Sequence, residues 1–269
     1  ELSHDTLSLA GDTIYKMNYA ARIAEHRDQD ADLTIACLPV PRLEAREFGV
    51  MHVNDQNRVV GFREKPESPE AMPGHPDLAL ASMGIYVFKT QAMFDLLFDD
   101  AKHPESRHDF GRNIIPGILE SHRVMAYPFR DENRKAAAYW RDVGTLDAYY
   151  QANMDLIQVD PLLNLYDPSW PIHTHQPSLP PPKFVHSVGN RVGAAFDSII
   201  CSGSILSGGQ AYRSLISPGV RINSFALVED SILFDGVEVG RHARVRRAIL
   251  DKHVKVPPGF TIGLDYEYL

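Results

Sequence analysis

The sequence predicts an α/β layered domain followed by a parallel β-helix. Three observations carry this. Strand-like and helix-like patterns alternate through the first 159 residues, a proline-dense stretch occupies 160–190, and beyond it small aliphatic residues recur every six positions. Alternating strands and helices build layers of helix on sheet. A six-residue recurrence marks a hexapeptide solenoid, whose coils bury their inward side chains only against neighbouring coils.

Thr6–Leu9 alternates polar and apolar residues and stops at Ala10-Gly11-Asp12. Met17, Ala20, Ala21 and Ala24 set a helical spacing over residues 17–29. Leu33–Leu38 predicts a buried strand that ends at Pro39. Residues 49–53 and 58–62 flank the turn cluster Asn54-Asp55-Gln56-Asn57 and predict a hairpin. Ser82–Phe88 predicts another strand, and residues 92–98, 110–120 and 143–159 predict helices. Seven prolines between Pro161 and Pro182 forbid regular helix or central strand, so residues 160–190 predict a semi-rigid spacer. In the last segment Val220, Ala226 and Ile232 are followed by Val237, Ala243 and Ile249, then by Val254 and Phe260. The series restarts every 17 residues, with Ile222, Val239 and Val256 two places on. These positions are expected to point inward.

Composition narrows the function. The 269 residues are 44% hydrophobic and 23% charged, as in an ordinary soluble globular protein. A net charge of −8 argues against a nucleic-acid partner, which needs a basic face. The longest apolar run, Leu78–Phe88, is well short of the ~20 residues that span a bilayer, so no membrane partner is expected. Cys37 and Cys201 both lie in apolar stretches, read as core thiols, and favour a reducing, cytoplasmic setting.

Individually the polar motifs are modest signals. Asp12 follows a strand end, where α/β sheets bind ligands, though Gly-Asp is also a common turn. Asp142 precedes a helix and could be a plain N-cap. Phe62-Arg63-Glu64-Lys65-Pro66 ends a strand in an adjacent acid and base. Such a lysine suits a phosphate monoester and such a glutamate suits sugar hydroxyls, although exposed hairpin edges carry similar charges. His108-Asp109 reads as a helix N-terminus, and His173 and His175 lack further metal ligands nearby.

Together the motifs are specific. The segments Leu9–Tyr19, Phe48–Met51, Phe62–Pro66, Ala81–Phe88, His108–Gly111, Tyr139–Thr145, Trp170–Ile172 and Pro181–Val185 resemble, in this order, the bacterial ADP-glucose pyrophosphorylase (glucose-1-phosphate adenylyltransferase) family. The resemblance covers nearly the whole chain. It implies that residues 1–159 are the C-terminal part of a Rossmann-like, mixed-sheet nucleotidyltransferase domain. Residues 160–190 would be the linker and 191–269 a left-handed parallel β-helix. It implies formation of ADP-glucose and pyrophosphate from ATP and glucose 1-phosphate for glycogen synthesis, by a homotetramer. Asp12 and Asp142 would hold Mg²⁺, and Lys65 the sugar phosphate. Glu64, Ser82 and the backbone of Gly49 would contact the sugar. Arg241, Arg244, Arg246, Arg247 and Lys252 would bind phosphorylated regulators, a solvated solenoid face being the alternative. Thr13 and Asn18 stand where the family has His and Asp. The segment Arg130–Ala138 is shorter than in the family, and the family's Gly-rich nucleotide loop is expected upstream of Glu1. Three alternatives remain: a sugar-1-phosphate nucleotidyltransferase with another base, a hexapeptide acyltransferase using His242 or His253, and a non-catalytic regulatory homologue.

Overall fold

A computed structural model describes residues 4–129 and 139–263, and divides into two compact units, Glu1–Trp140 and Arg141–Leu269. The segment Arg130–Ala138 lies outside the described residues. Among the described residues no helix is long and apolar enough to cross a membrane.

Among its described residues the first unit carries seven strands. They are β1 (Asp5–Ser8), β2 (Thr13–Tyr15), β3 (Leu33–Pro41), β4 (Gly49–Val53), β5 (Val59–Glu64), β6 (Leu78–Lys89) and β7 (Val124–Pro128). Six of them form a mixed sheet in the order β5-β4-β6-β3-β7, with β1 pairing the second half of β6. β3 runs parallel to β7 and antiparallel to β6. Both faces of β3 are covered, which explains its unbroken apolar run: Leu33, Ile35 and Cys37 join one buried cluster and Ala36 another. The strand does not stop at Pro39 as expected but continues through Pro41. Among the described residues its ladder to β7 ends at the Cys37–Pro128 pair, so no described partner on that edge asks for the N–H that Pro39 and Pro41 lack. Burial pushes the Cys37 thiol up to about 12, in keeping with an inert core residue, while Cys201 is only half-buried.

Helix α1 (Tyr19–Asp28) starts where Asn18 Oδ1 accepts the Ala21 N–H at 3.2 Å and is followed by Asp30 with φ +47°. It buries Arg22 and His26, one turn apart. Helix α2 (Thr90–Asp100) follows β6 directly. The expected helix at 110–120 is instead a π-helical turn, Phe110–Ile114, continued by α3 (Ile115–Ile118). Asp109 caps it by accepting the Arg112 N–H at 2.8 Å.

The second unit holds α4 (Leu146–Asp155), capped by Thr145, and a solenoid of about four coils. Three parallel ladders make its sides. One runs from Lys183–Val185 to Lys255–Val256, one from Ala194–Phe196 to Thr261–Ile262, and one from Ile199–Ile200 to Ile249–Leu250. The first ladder begins at Lys183, inside the segment expected to be linker. Each corner holds a residue with positive φ: Arg213, Gly219, Phe225, then Asp230, Gly236, His242, then Arg247, His253, Gly259. Serines stitch one corner. Ser214 Oγ donates to the Tyr212 carbonyl at 2.7 Å and accepts the Ser231 N–H of the next coil at 3.1 Å, and Ser231 repeats the pattern toward Ala248.

Val220, Ile222, Ala226, Val237, Val239, Ala243 and Val256 line the solenoid core as expected. The third side departs from the count. Leu233 and Leu250 join the core cluster, while Ile232 is fully buried outside it and Ile249 is half-buried. Phe260 takes the place of Ala226 and Ala243 in the last described coil and is 54% exposed.

Candidate functional site

In the first unit, polar side chains gather at the end of β5, the middle of β6 and the π-helical turn. Gly49 pairs directly with Glu64 across the β4–β5 ladder. Consecutive residues on a strand face opposite sides. Lys65 breaks that alternation with φ +45°, its N–H donating to the Phe48 carbonyl at 3.1 Å. Its ammonium acts favourably on the Glu64 carboxylate, so the acid and base named from the sequence share one locality.

Burial lifts the Glu64 carboxyl above its ordinary range, and the Asp109 carboxylate adds to this, while Lys65 and Arg112 oppose it. On β6, Ser82 is buried and its Oγ accepts the Gly84 N–H at 3.3 Å. Burial raises the Tyr86 phenol above its usual pKa; Ser82 opposes this, while the Glu64 and Asp109 carboxylates add to it. The Tyr86 ring packs against Phe110 at 5.6 Å. A cavity of about 560 Å³ opens beside Glu64, lined also by Phe62, Arg63, Gly111 and Arg112.

The structure therefore brings Gly49, Glu64, Lys65 and Ser82 into one region of the first unit. It adds two residues that the sequence reading passed over. Asp109 caps the turn, as expected, but also faces Glu64. Tyr86 lies two strand alternations beyond Ser82 and so shares its face, a signal available in the sequence.

Asp12 is exposed in the turn between β1 and β2. Asp142 lies in the second unit and is not a helix cap: its Oδ1 accepts the Gly144 N–H at 2.8 Å, while Thr145 caps α4. Both are hard oxygen donors of the type Mg²⁺ takes. Among the described residues no group of three or more His, Cys, Asp or Glu could hold a metal. His173 and His175 are exposed in the linker and belong to no such cluster.

The basic residues of the solenoid divide. Arg244 and Arg246 project from one strand and Arg241 lies over the Phe225 ring at 5.7 Å. Arg247 occupies a corner and, with Tyr150, Met154, Arg213 and Asp230, lines a cavity of about 500 Å³ within the second unit. Lys252 lies one corner further on, beside His253. Of the two histidines weighed for acyl transfer, His242 stacks on Phe225 at 4.8 Å.

Comparison with known proteins agrees with this architecture. Residues 2–159 match the family described as nucleotidyl transferase, and residues 180–268 match the GlmU-like C-terminal hexapeptide family. The glucose-1-phosphate adenylyltransferase of Rhodopirellula baltica is 60% identical over 96% of this chain and 58% of its own length. Those of Paramagnetospirillum magneticum and Koribacter versatilis are 52% and 50% identical, over 96% and 97% of the chain and 61% and 63% of theirs. The chain thus spans about three fifths of the length of these curated relatives.

Proposed function

From the premise that this chain belongs to the nucleotidyl transferase family, we propose that it serves as the sugar-phosphate side of a glucose-1-phosphate adenylyltransferase. The reaction joins glucose 1-phosphate to ATP, giving ADP-glucose and pyrophosphate, in the synthesis of glycogen. The observation that carries this reading is the half-buried Glu64 carboxylate, opposite Gly49 on the ladder and next to Lys65, with Asp109 and Gly111 close to it.

A sugar phosphate is a dianion that must approach a second, highly charged phosphate. Lys65 offsets that charge and fixes the nucleophilic oxygen in place. Glu64 accepts hydrogen bonds from sugar hydroxyls, Ser82 offers a hydroxyl, and the backbone at Gly49 closes the same edge. The attacking oxygen is already ionised, so no protein nucleophile or strong base is required. Asp12 and Asp142 would hold Mg²⁺, which when bound neutralises charge on the phosphoryl group being transferred. The resemblance also supports a cytoplasmic homotetramer regulated by phosphorylated metabolites at Arg241, Arg244, Arg246, Arg247 and Lys252.

The test is pyrophosphate release by the full-length protein with glucose 1-phosphate and each of ATP, UTP, GTP and dTTP. Turnover with ATP foremost is expected. Preference for another base would move the assignment to a different sugar nucleotide, and folded protein without turnover would favour a regulatory homologue. Asp142→Asn in that protein is expected to abolish Mg²⁺-dependent turnover; near-normal rates would remove Asp142 from the metal site.

A further inference from the structure

The Glu64 carboxylate sits between two glycines. Gly49 faces it across the ladder, and a Cβ there would stand 3.0 Å from Glu64 Oε2 and 2.5 Å from the Phe62 ring. A Cβ on Gly111 would overlap Oε2 and lie 3.0 Å from Cδ. Gly111 is in the π-helical turn and is not among the residues with positive φ, so its backbone makes no demand for glycine. Helix propensity alone would favour alanine there. After the two Glu64 atoms, the next nearest is Asp109 Oδ1, at an ordinary 3.4 Å. What asks for glycine at this place is the carboxylate.

We propose that Gly111 is a positioning residue: by withholding a side chain it completes, with Gly49, a niche that holds the Glu64 carboxylate where it reads the sugar hydroxyls, and so helps set which sugar phosphate is accepted. This rests on the reading above that Glu64 contacts the sugar. The route is steric. A methyl group at position 111 must either displace the carboxylate or push back the turn that Asp109 caps. Displacement is the easier course, because Glu64 reaches the niche on a flexible side chain, whereas the turn is packed on Tyr86 and Phe88 through Phe110.

The experiment is a set of calorimetric titrations of this chain with glucose 1-phosphate, galactose 1-phosphate and inorganic phosphate. The variants are Gly111→Ala, Glu64→Asp and the double substitution. Gly111→Ala is expected to weaken glucose 1-phosphate by about tenfold, leave inorganic phosphate unchanged and narrow the gap between the two epimers. In Glu64→Asp the carboxylate stops one methylene short of the niche, so adding Gly111→Ala should change affinity by less than about twofold. An equal loss in both backgrounds, or no loss in either, overturns the proposal. If Gly111→Ala fails to fold, the double substitution should restore folding, since the clash is gone; failure to do so also overturns it.

Should the parent chain bind no sugar phosphate at all, the reading of function falls but the niche is still tested. Carbon-detected titration of the Glu64 carboxyl should show Gly111→Ala returning it toward ordinary glutamate behaviour as it leaves the niche. An unmoved titration would reject the niche.

Discussion

In the solenoid, left-handed backbone at non-glycine residues is periodic: Arg213, Asp230 and Arg247 repeat every 17 residues at one corner, Phe225 and His242 at another. In the sheet-bearing unit four described non-glycine residues adopt it, Asp30, Asn57, Lys65 and His108, each at its own place. The same conformation costs roughly 1–2 kcal/mol for an ordinary side chain in either setting. In the solenoid that cost is spread over identical corners, where each residue's N–H finds the carbonyl of the coil before, as Asp230 does with Tyr212. In the sheet, two of the four adjoin the candidate site: Lys65, and His108 just before Asp109. Repetition marks architecture; a single left-handed residue beside a half-buried carboxylate is where a test for chemistry belongs.

The contrast can be broken in several ways. The largest effect should come from emptying the solenoid core. Ile222→Ala removes a fully buried side chain from one inward row and should cost about 2–5 kcal/mol, read as a lower denaturant midpoint for the second unit. A loss below 1 kcal/mol would mean that the corners, not the inward rows, hold the coils together.

Next comes Lys65→Gly, which separates strain from function. Relief of positive φ should leave stability unchanged or raise it by up to about 1 kcal/mol, while removal of the ammonium should weaken glucose 1-phosphate binding about a hundredfold. Loss of both together would make Lys65 a structural residue.

Smaller again is the corner series at Arg213, whose guanidinium pairs with Asp230 through Nε at 2.6 Å and Nη2 at 2.9 Å. Arg213→Val should cost about 1–2 kcal/mol, because a β-branched side chain fits left-handed backbone poorly. Arg213→Gly should be near neutral, since an exposed ion pair contributes about 0–1 kcal/mol, which the relief of strain offsets. Equal cost for both would assign the effect to the ion pair instead.

The smallest effect is acid sensitivity of the first unit. Burial holds His26 below the ordinary histidine pKa, its Nδ1 lying 2.7 Å from Thr34 Oγ1, with Lys89 and Arg22 pushing the same way and Asp5 opposing. The unfolded chain therefore takes up a proton near pH 6.5 that the folded unit refuses. Stability from this group is complete above that pH and is lost as pH falls toward the depressed value. Among the described residues the buried polar groups of the solenoid are serines, which do not titrate. Calorimetry between pH 7 and 5 should show the first unit's transition falling, and His26→Gln should flatten it; an unchanged slope in the variant would exonerate His26.

The solenoid was legible because Val220, Val237 and Val254 repeat the same demand three times. The count slipped on the third side for a geometric reason. A 17-residue coil cannot be three equal sixes, and the corners at Phe225, Asp230 and Gly236 show that one side has five residues. Leu233 therefore joins the solenoid core, while Ile232 is buried outside it. In the sheet unit, local patterns placed β4, β5 and β6 but not the role of Asp109. Its proximity to Glu64 joins residues 45 positions apart, which no periodicity reports. The run of β3 through Pro39 was likewise hidden, because whether a proline ends a strand depends on which neighbour that edge meets. Asp12, Lys65 and Asp142 were visible only as types at strand and helix ends, and became a set through the family resemblance rather than through spacing.

The central claim is that the left-handed turn at Lys65 sets an ammonium beside the Glu64 carboxylate to hold a sugar phosphate. Calorimetric titration of this chain with glucose 1-phosphate, side by side with a folded Lys65→Ala variant, tests it most directly. Saturable binding in the parent that falls at least tenfold in the variant is the predicted result. Equal affinity in both would contradict it.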